Sequence, residues 1–381
     1  MPARLKPLAR QTILITGASS GIGLATARLA ASRGAAVMLV ARDEDSLKTA
    51  VEGIRDSGGR AEYHVADVAD LGALEAAADA AERAFGAIDS WVNDAGTSIY
   101  GTQEQTPLED QRRLFDTNYW GVVHGSLLAA RRMKSRGGAI INLGSILSDR
   151  SMIYQGTYSA TKFAVKAFTD ALRMELEAEG APISVTLIKP SAIDTTFQEH
   201  ARIHMDTPGV KVPPPVYDPR LVARAIVYAC EHPRRDIVVG GGGAAIAVLG
   251  NLFPRGTDLV MQMIGRVSQV TKESGRPEMR DNLYEGRPGG EERSSLSGMP
   301  QRRTSLLLEA QLNPVATLAT VAGLGALVVG AVAARRVGAG RIGRLLPRSR
   351  SAGMLDALPG PVGQLVRHAA RQVPHRRGGW F

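Results

Sequence analysis

The chain has 381 residues, 44% apolar and 22% charged, with sparse aromatics and 42 glycines; this is a globular composition, which excludes a disordered or collagen-like chain. Its length exceeds one ordinary domain, so one large folded unit with added segments is expected. The formal charge of +9 is not spread evenly: from residue 335 onward stand ten arginines, no lysine and one acid, Asp356, which leaves the remainder nearly neutral and argues against a basic main domain.

The first ten residues are short and basic, and the apolar run after them covers only 12–16 before a glycine turn, so it reads as a strand and not as a signal peptide. Apolar runs of strand length follow at 36–40, 61–65, 90–92, 139–143, 184–188 and 237–239. Stretches with helical spacing alternate with them at 22–32, 45–56, 71–85, 158–177 and 219–230. Seven strands alternating with helices predict an α/β fold, a Rossmann-type doubly wound parallel sheet with helices on both faces. Several runs are continuously apolar, as strands covered on both sides require. Cys230, the lone cysteine, excludes an internal disulfide framework, fits a reducing cytoplasm and reads as a buried apolar residue. The main folded domain is expected over 8–265.

Beyond it, 266–310 is expected as a flexible linker, because 271–304 is rich in Gly, Pro, Ser, Arg and Glu and poor in large apolar groups. The apolar segment 311–336 includes twenty uncharged residues at 315–334, which as a helix match the thickness of a bilayer core, although its glycines, threonines and alanines make the run mild. A helix packed on protein is the other reading. The basic tail, 337–381, suits anionic headgroups; with aromatics nearly absent before Trp380 and Phe381, no nucleic acid is expected. A single span with its arginines cytosolic would put the large folded unit on the other side of the membrane; a hairpin, a monotopic helix or basic residues on anionic headgroups would keep that unit cytoplasmic.

Directly after the first strand comes T-G-A-S-S-G-I-G at 16–23, opening a helix. Gly17, Gly21 and Gly23 let the backbone turn tightly and approach a pyrophosphate, whose charge the free N–H groups and helix dipole favour. The second strand ends Ala41-Arg42-Asp43, with no acid where a ribose-binding one would stand and a cation beside it, so NADP(H) is preferred and NAD(H) stays admissible. Arg42 also reads as a surface partner of Asp43 or Asp45. Asp67, after the third strand, is placed to meet an adenine or to cap the following helix.

Reducing a carbonyl needs a hydride on carbon and a proton on oxygen, and oxidising an alcohol needs the reverse, so a proton-exchanging group must face the nicotinamide. Tyr158 has that phenol, but near neutrality a tyrosine is too weakly acidic. Lys162, one helical turn on, shares its helix face and stabilises the phenolate, and Ser145, after the strand at 139–143, can hold the substrate oxygen. Singly, these residues also read as a surface pair and a cap; their order and context argue otherwise.

The turn at 16–23, N-D-A-G at 93–96, Asn118, Ser145 and Y-S-A-T-K at 158–162 together resemble the short-chain dehydrogenase/reductase family over about residues 8–262. The resemblance implies a small-molecule carbonyl or alcohol substrate and a homo-oligomer. It implies dinucleotide contacts from Gly17, Ser19, Ser20, Gly21, Ile22, Gly23, Arg42, Asp67, Val68, Asn93, Ala95, Gly96, Tyr158, Lys162, Pro190, Ile193 and Thr195. Lys162 would hold the nicotinamide ribose, Asn118 would support a water-linked proton relay to it, and Thr195 would meet the nicotinamide amide. Two positions depart from the pattern: Asp94 replaces a second Asn, and Ser191 after Pro190 replaces a Gly. The stretch 192–215 is expected as the substrate lid, where Ile193, Phe197, Ile203, Met205 and Val212 favour an apolar substrate. His200 and His204 are spaced for a metal only if helical, and with no third ligand evident no metal is expected. The alternative to an enzyme is a catalytically silent dinucleotide-binding scaffold or redox sensor at a membrane.

Overall fold

The computed structural model describes residues 3–296, 301–320 and 322. The chain divides into one compact unit, Met1–Pro314, and a second, Val315–Phe381. Of the second, 315–320 are helical; most of the apolar run 315–334 and all of the basic tail lie outside the described residues. Among the described residues no helix is long and apolar enough to cross a membrane.

In chain order the first half runs β1 Thr12–Thr16, α1 Gly21–Ser32, β2 Ala36–Ala41, α2 Glu44–Asp56, β3 Arg60–Val65, α3 Leu71–Phe85 and β4 Ser90–Asn93. A two-residue strand, β5 Ile99–Tyr100, precedes α4 Leu108–Phe115, which passes through a π-helical turn, Asp116–Trp120, into α5 Gly121–Met133. Then come β6 Gly138–Leu143, α6 Gly156–Ala178, β7 Ile183–Pro190, the short β8 Arg202–Ile203 and β9 Gly209–Val210, α7 Pro219–Glu231 and β10 Asp236–Val239. The chain goes on through α8 Gly241–Leu252, α9 Pro254–Gln269, β11 Val270–Thr271 and α10 Leu306–Leu312.

Seven strands form one sheet in the order β10-β7-β6-β4-β1-β2-β3, and every pairing in it is parallel. The fold is thus the expected doubly wound, Rossmann-type α/β sheet. Strands β1 and β6 are buried along their whole length, so both faces carry helices, and two apolar cores lie one on each side. Short polar side chains start the helices where the chain leaves a strand: Asp43 accepts from Ser46 N at 2.9 Å, Asp70 from Ala73 N at 3.0 Å, and Asp218 from Arg220 N at 2.9 Å ahead of Pro219. The helices over 108–133 and 241–269 were not expected from the sequence. Cys230 is buried on α7.

Because the chain winds outward from β1 to β3 and then returns to β4 on the other side of β1, the crossovers leave in opposite directions between β1 and β4. Crevices for ligands open at the carboxyl ends of such strands. The two are registered Thr16↔Asn93, and the Thr16 hydroxyl accepts from Asp94 N at 3.1 Å and Ala95 N at 3.2 Å, tying the loops across the switch point.

The stretch 266–310, expected as a linker, lies within the first compact unit. Residues 266–269 finish α9, β11 pairs antiparallel with β9, Leu283 is fully buried, and α10 packs Leu308 into the core. A segment poor in apolar residues cannot make its own core, but here its polar backbone finds partners on the sheet domain.

The sheet interior is also held by a polar chain. Asn142 Oδ1 accepts from Asn93 Nδ2 at 2.8 Å and Ser126 Oγ at 3.1 Å, and its Nδ2 donates to Thr169 Oγ1 at 3.0 Å, all buried. Asn142→Ala should therefore lower stability by about 1–3 kcal/mol for each group it strands, seen as a lower urea midpoint at unchanged slope.

Candidate active site

The glycine turn at the β1–α1 junction owes its shape to two contacts. Gly17 sits at φ +70°, and a Cβ there would come within 2.8 Å of Ala95 Cα; a Cβ on Gly23 would overlap the Gly17 carbonyl oxygen. Side chains are thereby excluded at Gly17 and Gly23, where the turn packs on Ala95 and on its own backbone. A cleft is walled by Gly17, Ser19, Ser20, Gly21 and Ile22 at one end and by Ser145, Tyr158 and Lys162 at the other. Arg42, Asp67, Val68, Ala95, Gly96, Pro190, Ile193 and Thr195 also line it.

Three expected residues lie behind the cleft and not on it. Gly23 supports the turn, Asn93 spends its side chain on Trp91, Ser126 and Asn142, and Asn118 is fully buried. Asn118 sits in the π-helical turn, where one extra residue per turn rotates its amide inward. It accepts from Thr97 N at 2.9 Å, donates to Thr97 O at 2.9 Å, and donates to Thr161 Oγ1 at 3.3 Å, joining the loop after β4 to α6 beside Tyr158.

Helix α6 brings Tyr158 and Lys162 to one face, with the ammonium 5.7 Å from the phenol ring centroid and Nζ donating to Leu143 O at 2.8 Å. Ser145 leaves the end of β6 and caps the turn Ile146–Ser148, accepting from Leu147 N at 3.1 Å. Burial pushes the Tyr158 phenol up to about 12; its hydrogen bond with Ser145 pulls down, and the nearby Asp94 carboxylate pushes up again. Burial brings Lys162 down to about 8 against the Asp94 charge, which raises it. Asp94 is itself lifted to about 7 by burial, opposed by the Lys162 charge and by a hydrogen bond from Gly23 N. The first departure from the family pattern thus places a half-buried carboxyl between the glycine turn and the lysine.

The second departure has a local cause. Ser191 Oγ accepts from Gly243 N at 3.1 Å in the first turn of α8, so the serine caps a helix added after the last sheet strand. Helices α8 and α9 close the far side of the cleft with Ile246, Ala247 and Met261, while Phe197 stacks edge-on at 5.7 Å from Tyr158. Ile193, Phe197 and Val212 from the expected lid line the cleft, whereas Ile203 and Met205 pack beside Tyr100 instead. His204 Nε2 pairs with Asp110 at 2.8 Å and His200 lies in the cleft wall, so the two rings do not converge. Missed from the sequence were Asn282, Gly286 and Arg287, which reach the cleft from the C-terminal stretch; no local spacing marks them.

The model of the short chain dehydrogenase family matches residues 11–206. An uncharacterized oxidoreductase of Bacillus subtilis (strain 168), YxnA, is 42% identical over 323 residues, 84% of this chain and 90% of its own. The chain belongs to the short-chain dehydrogenase family. Among solved structures, a short-chain dehydrogenase/reductase from Burkholderia phymatum in complex with NAD is 25% identical, with a TM-score of 0.57, 66% of this chain and 95% of that chain covered. An alcohol dehydrogenase from Thermococcus sibiricus complexed with 5-hydroxy-NADP is 25% identical, with a TM-score of 0.53, 60% of this chain and 95% of that chain covered.

The Asp94–Lys162 link is open to measurement. The carboxylate raises the lysine, so its removal in Asp94→Asn should move the Lys162 midpoint below about 8. Lysine-labelled carbon NMR, assigned through Lys162→Arg, reads it; an unmoved midpoint would show that the two charges do not sense each other.

Proposed function

We propose that this short-chain dehydrogenase is an NADP(H)-dependent oxidoreductase interconverting a carbonyl and a secondary alcohol, with Tyr158 as acid and base. The observation that carries the reading is the convergence of Tyr158, Ser145 and Lys162 on the cleft that the glycine turn and Arg42 line further along. The bound dinucleotide supplies or accepts the hydride. The residues suit such a group: glycines that keep the turn tight and the N–H groups at the start of α1 favour a pyrophosphate beside Ser19, Ser20 and Ile22. Asp67 and Val68 flank the adenine end, Ala95 and Gly96 the middle, and Pro190, Ile193 and Thr195 the nicotinamide end.

Arg42 stands where the extra phosphate of NADP would lie and favours NADP(H); NAD(H) stays admissible, since the two solved relatives hold one cofactor type each. In reduction Ser145 hydrogen-bonds the substrate oxygen and Tyr158 gives it a proton; in oxidation Tyr158 takes that proton back. The Lys162 ammonium opposes the burial penalty on the phenolate and reaches toward the nicotinamide ribose. Asn118, braced by Thr97 and Thr161, keeps the water-linked route to Lys162 in place.

An apolar substrate fits the wall formed by Ile246, Ala247, Met261, Phe197 and Val212. The outer faces of α8 and α9 are apolar as well, with Leu252 66%, Met263 79% and Val267 74% exposed. Together with the uncharged run 315–334 they support contact with a membrane in which such a substrate would partition.

Full-length protein should oxidise NADPH with members of a ketone and aldehyde panel, faster than NADH. Tyr158→Phe should cut kcat by about 10²–10⁴-fold while leaving NADPH affinity in place; no turnover by the unmutated chain with either cofactor would sink the reading. In vesicle flotation with anionic lipid, the full chain should float and a chain ending at residue 310 should float less; equal behaviour would exclude the tail as the contact.

A further inference from the structure

Residues beyond the family's own fold cross the cleft at its glycine-turn end. The chain from 281 to 295 passes over the carboxyl ends of β1 and β2, and several of its contacts are with residues of the proposed dinucleotide site. Gly290 N donates to Ser19 O at 2.8 Å, Gly21 N donates to Glu291 O at 2.8 Å, and Gly289 N donates to Ser46 Oγ at 2.7 Å. Arg42 donates to the carbonyls of Asn282 and Leu283. Leu283 is fully buried in one cluster with Ile99, Leu114 and Tyr158, so the segment is pinned by packing as well as by polar bonds.

Its C-terminal end is fastened by charge. Glu292 takes Arg28 and Arg220, each at 2.9 Å, Arg293 meets Asp218 at 2.5 Å, and the buried Glu199 carboxylate accepts from Ser295 N at 2.8 Å and Ser295 Oγ at 2.6 Å. Yet the segment does not fill the space below it: Asn282, Gly286 and Arg287 face the same cleft as Ser19, Ser20 and Ile22.

One buried atom beside that space lacks a partner. His200, 6% exposed, lines the cleft and hydrogen-bonds the Pro288 carbonyl, while its Nε2 is buried without a partner. A buried ring nitrogen without a partner costs about 1–3 kcal/mol, a penalty that a ligand hydroxyl would remove. Burial lowers the His200 pKa, so the ring is neutral, and with one nitrogen donating to Pro288 the other is an acceptor. A ribose hydroxyl is a donor of that kind.

We infer that residues 282–291 are the outer wall of the dinucleotide site, a strap that closes over the adenosine end of the bound cofactor and retains it, with Arg42 and His200 serving strap and cofactor together. This rests on the reading of the cleft as a dinucleotide site. The two solved relatives, matched over 95% of their own length, account for only 66% and 60% of this chain, so a third or more of it lies outside what they share. YxnA, matched over 84% of this chain, extends beyond that shared core. Cofactor exchange then requires the strap to lift, breaking the contacts at Ser19, Gly21 and Ser46.

The test uses the full chain. Arg280 and Arg293 offer trypsin a site on either side of the strap, Pro288 blocking the bond after Arg287, and saturating NADPH should slow cleavage there by about tenfold, as closure over a ligand suppresses local opening. Glu292→Ala combined with Arg293→Ala frees the fastened end and should release NADPH about tenfold faster in a stopped-flow chase, the change appearing in the dissociation rate. Cleavage accelerated by NADPH would mean the strap is a plug that cofactor expels, and an unchanged release rate would mean it restrains nothing; either result overturns the inference while leaving the cofactor site standing. Failure of NADPH and NADH to bind at all, measured by calorimetry, would instead overturn the dinucleotide reading beneath it.

Discussion

An ammonium taken out of water at the middle of the molecule sets the terms for everything around it. Lys162 is 5% exposed, and a buried cation is tolerated only where fixed dipoles and opposite charge replace its hydration. The replacements come from three directions: the Leu143 carbonyl at the end of β6, the Asp94 carboxyl at the end of β4, and the phenol one turn back on α6. Each is delivered by a different element, so the sheet must hold β4, β6 and α6 in register for the lysine to remain charged near neutrality. The polar chain through Asn93, Asn142, Ser126 and Thr169 links these same elements from behind. Site and scaffold are thus one hydrogen-bonded object, and the electrostatics of the cleft depends on packing that never touches a ligand.

The topology explains why the glycine turn and the tyrosine meet at all. They are separated by more than a hundred residues, but both stand at carboxyl ends of strands or in the loops and helices that follow them, on either side of the point where the winding reverses. The π-helical turn at Asp116–Trp120 performs a local version of the same task. It lets one long helical segment both cover the sheet and turn the Asn118 amide toward Thr97 and Thr161, at the expense of regular helical pairing over those residues.

Much of this was legible in the residues, and the reasons are physical. The strands showed because a sheet covered on both faces leaves continuous apolar runs, and the Tyr158–Lys162 pair showed because four residues make one turn of a helix. Arg42 showed as a cation at a strand end, but its tether to the Asn282 and Leu283 carbonyls did not, since those partners lie 240 residues away in a segment whose composition argues for solvent. Composition reports whether a stretch can build a core of its own; it is silent on whether another surface offers donors and acceptors in the right order. Helix α4 escaped for a related reason: it is strongly polar, with only Asp110 and Leu114 buried, so its apolar stripe is too thin to stand out. Asp94 and Ser191 looked like blemishes on a motif until their partners, Gly23 and Gly243, were in place.

The segments after β10 divide their work between the two ends of the cleft. Helices α8 and α9 supply apolar side chains where the substrate would lie, beside Ser145 and Ile146, and the strap covers the end at Ser19 and Arg42. Neither end needs the tyrosine or the lysine to move. Substrate preference can then change through α8 and α9, which carry no proton-transfer group, and cofactor residence through the strap, whose fastenings at Glu199, Asp218 and Glu292 lie away from the phenol. The one strap residue that does reach the phenol's surroundings is Leu283, and it does so through apolar contact alone. Covering the cleft at that point keeps water from the polar groups around Tyr158, which strengthens the field of the buried ammonium without adding a charge to it.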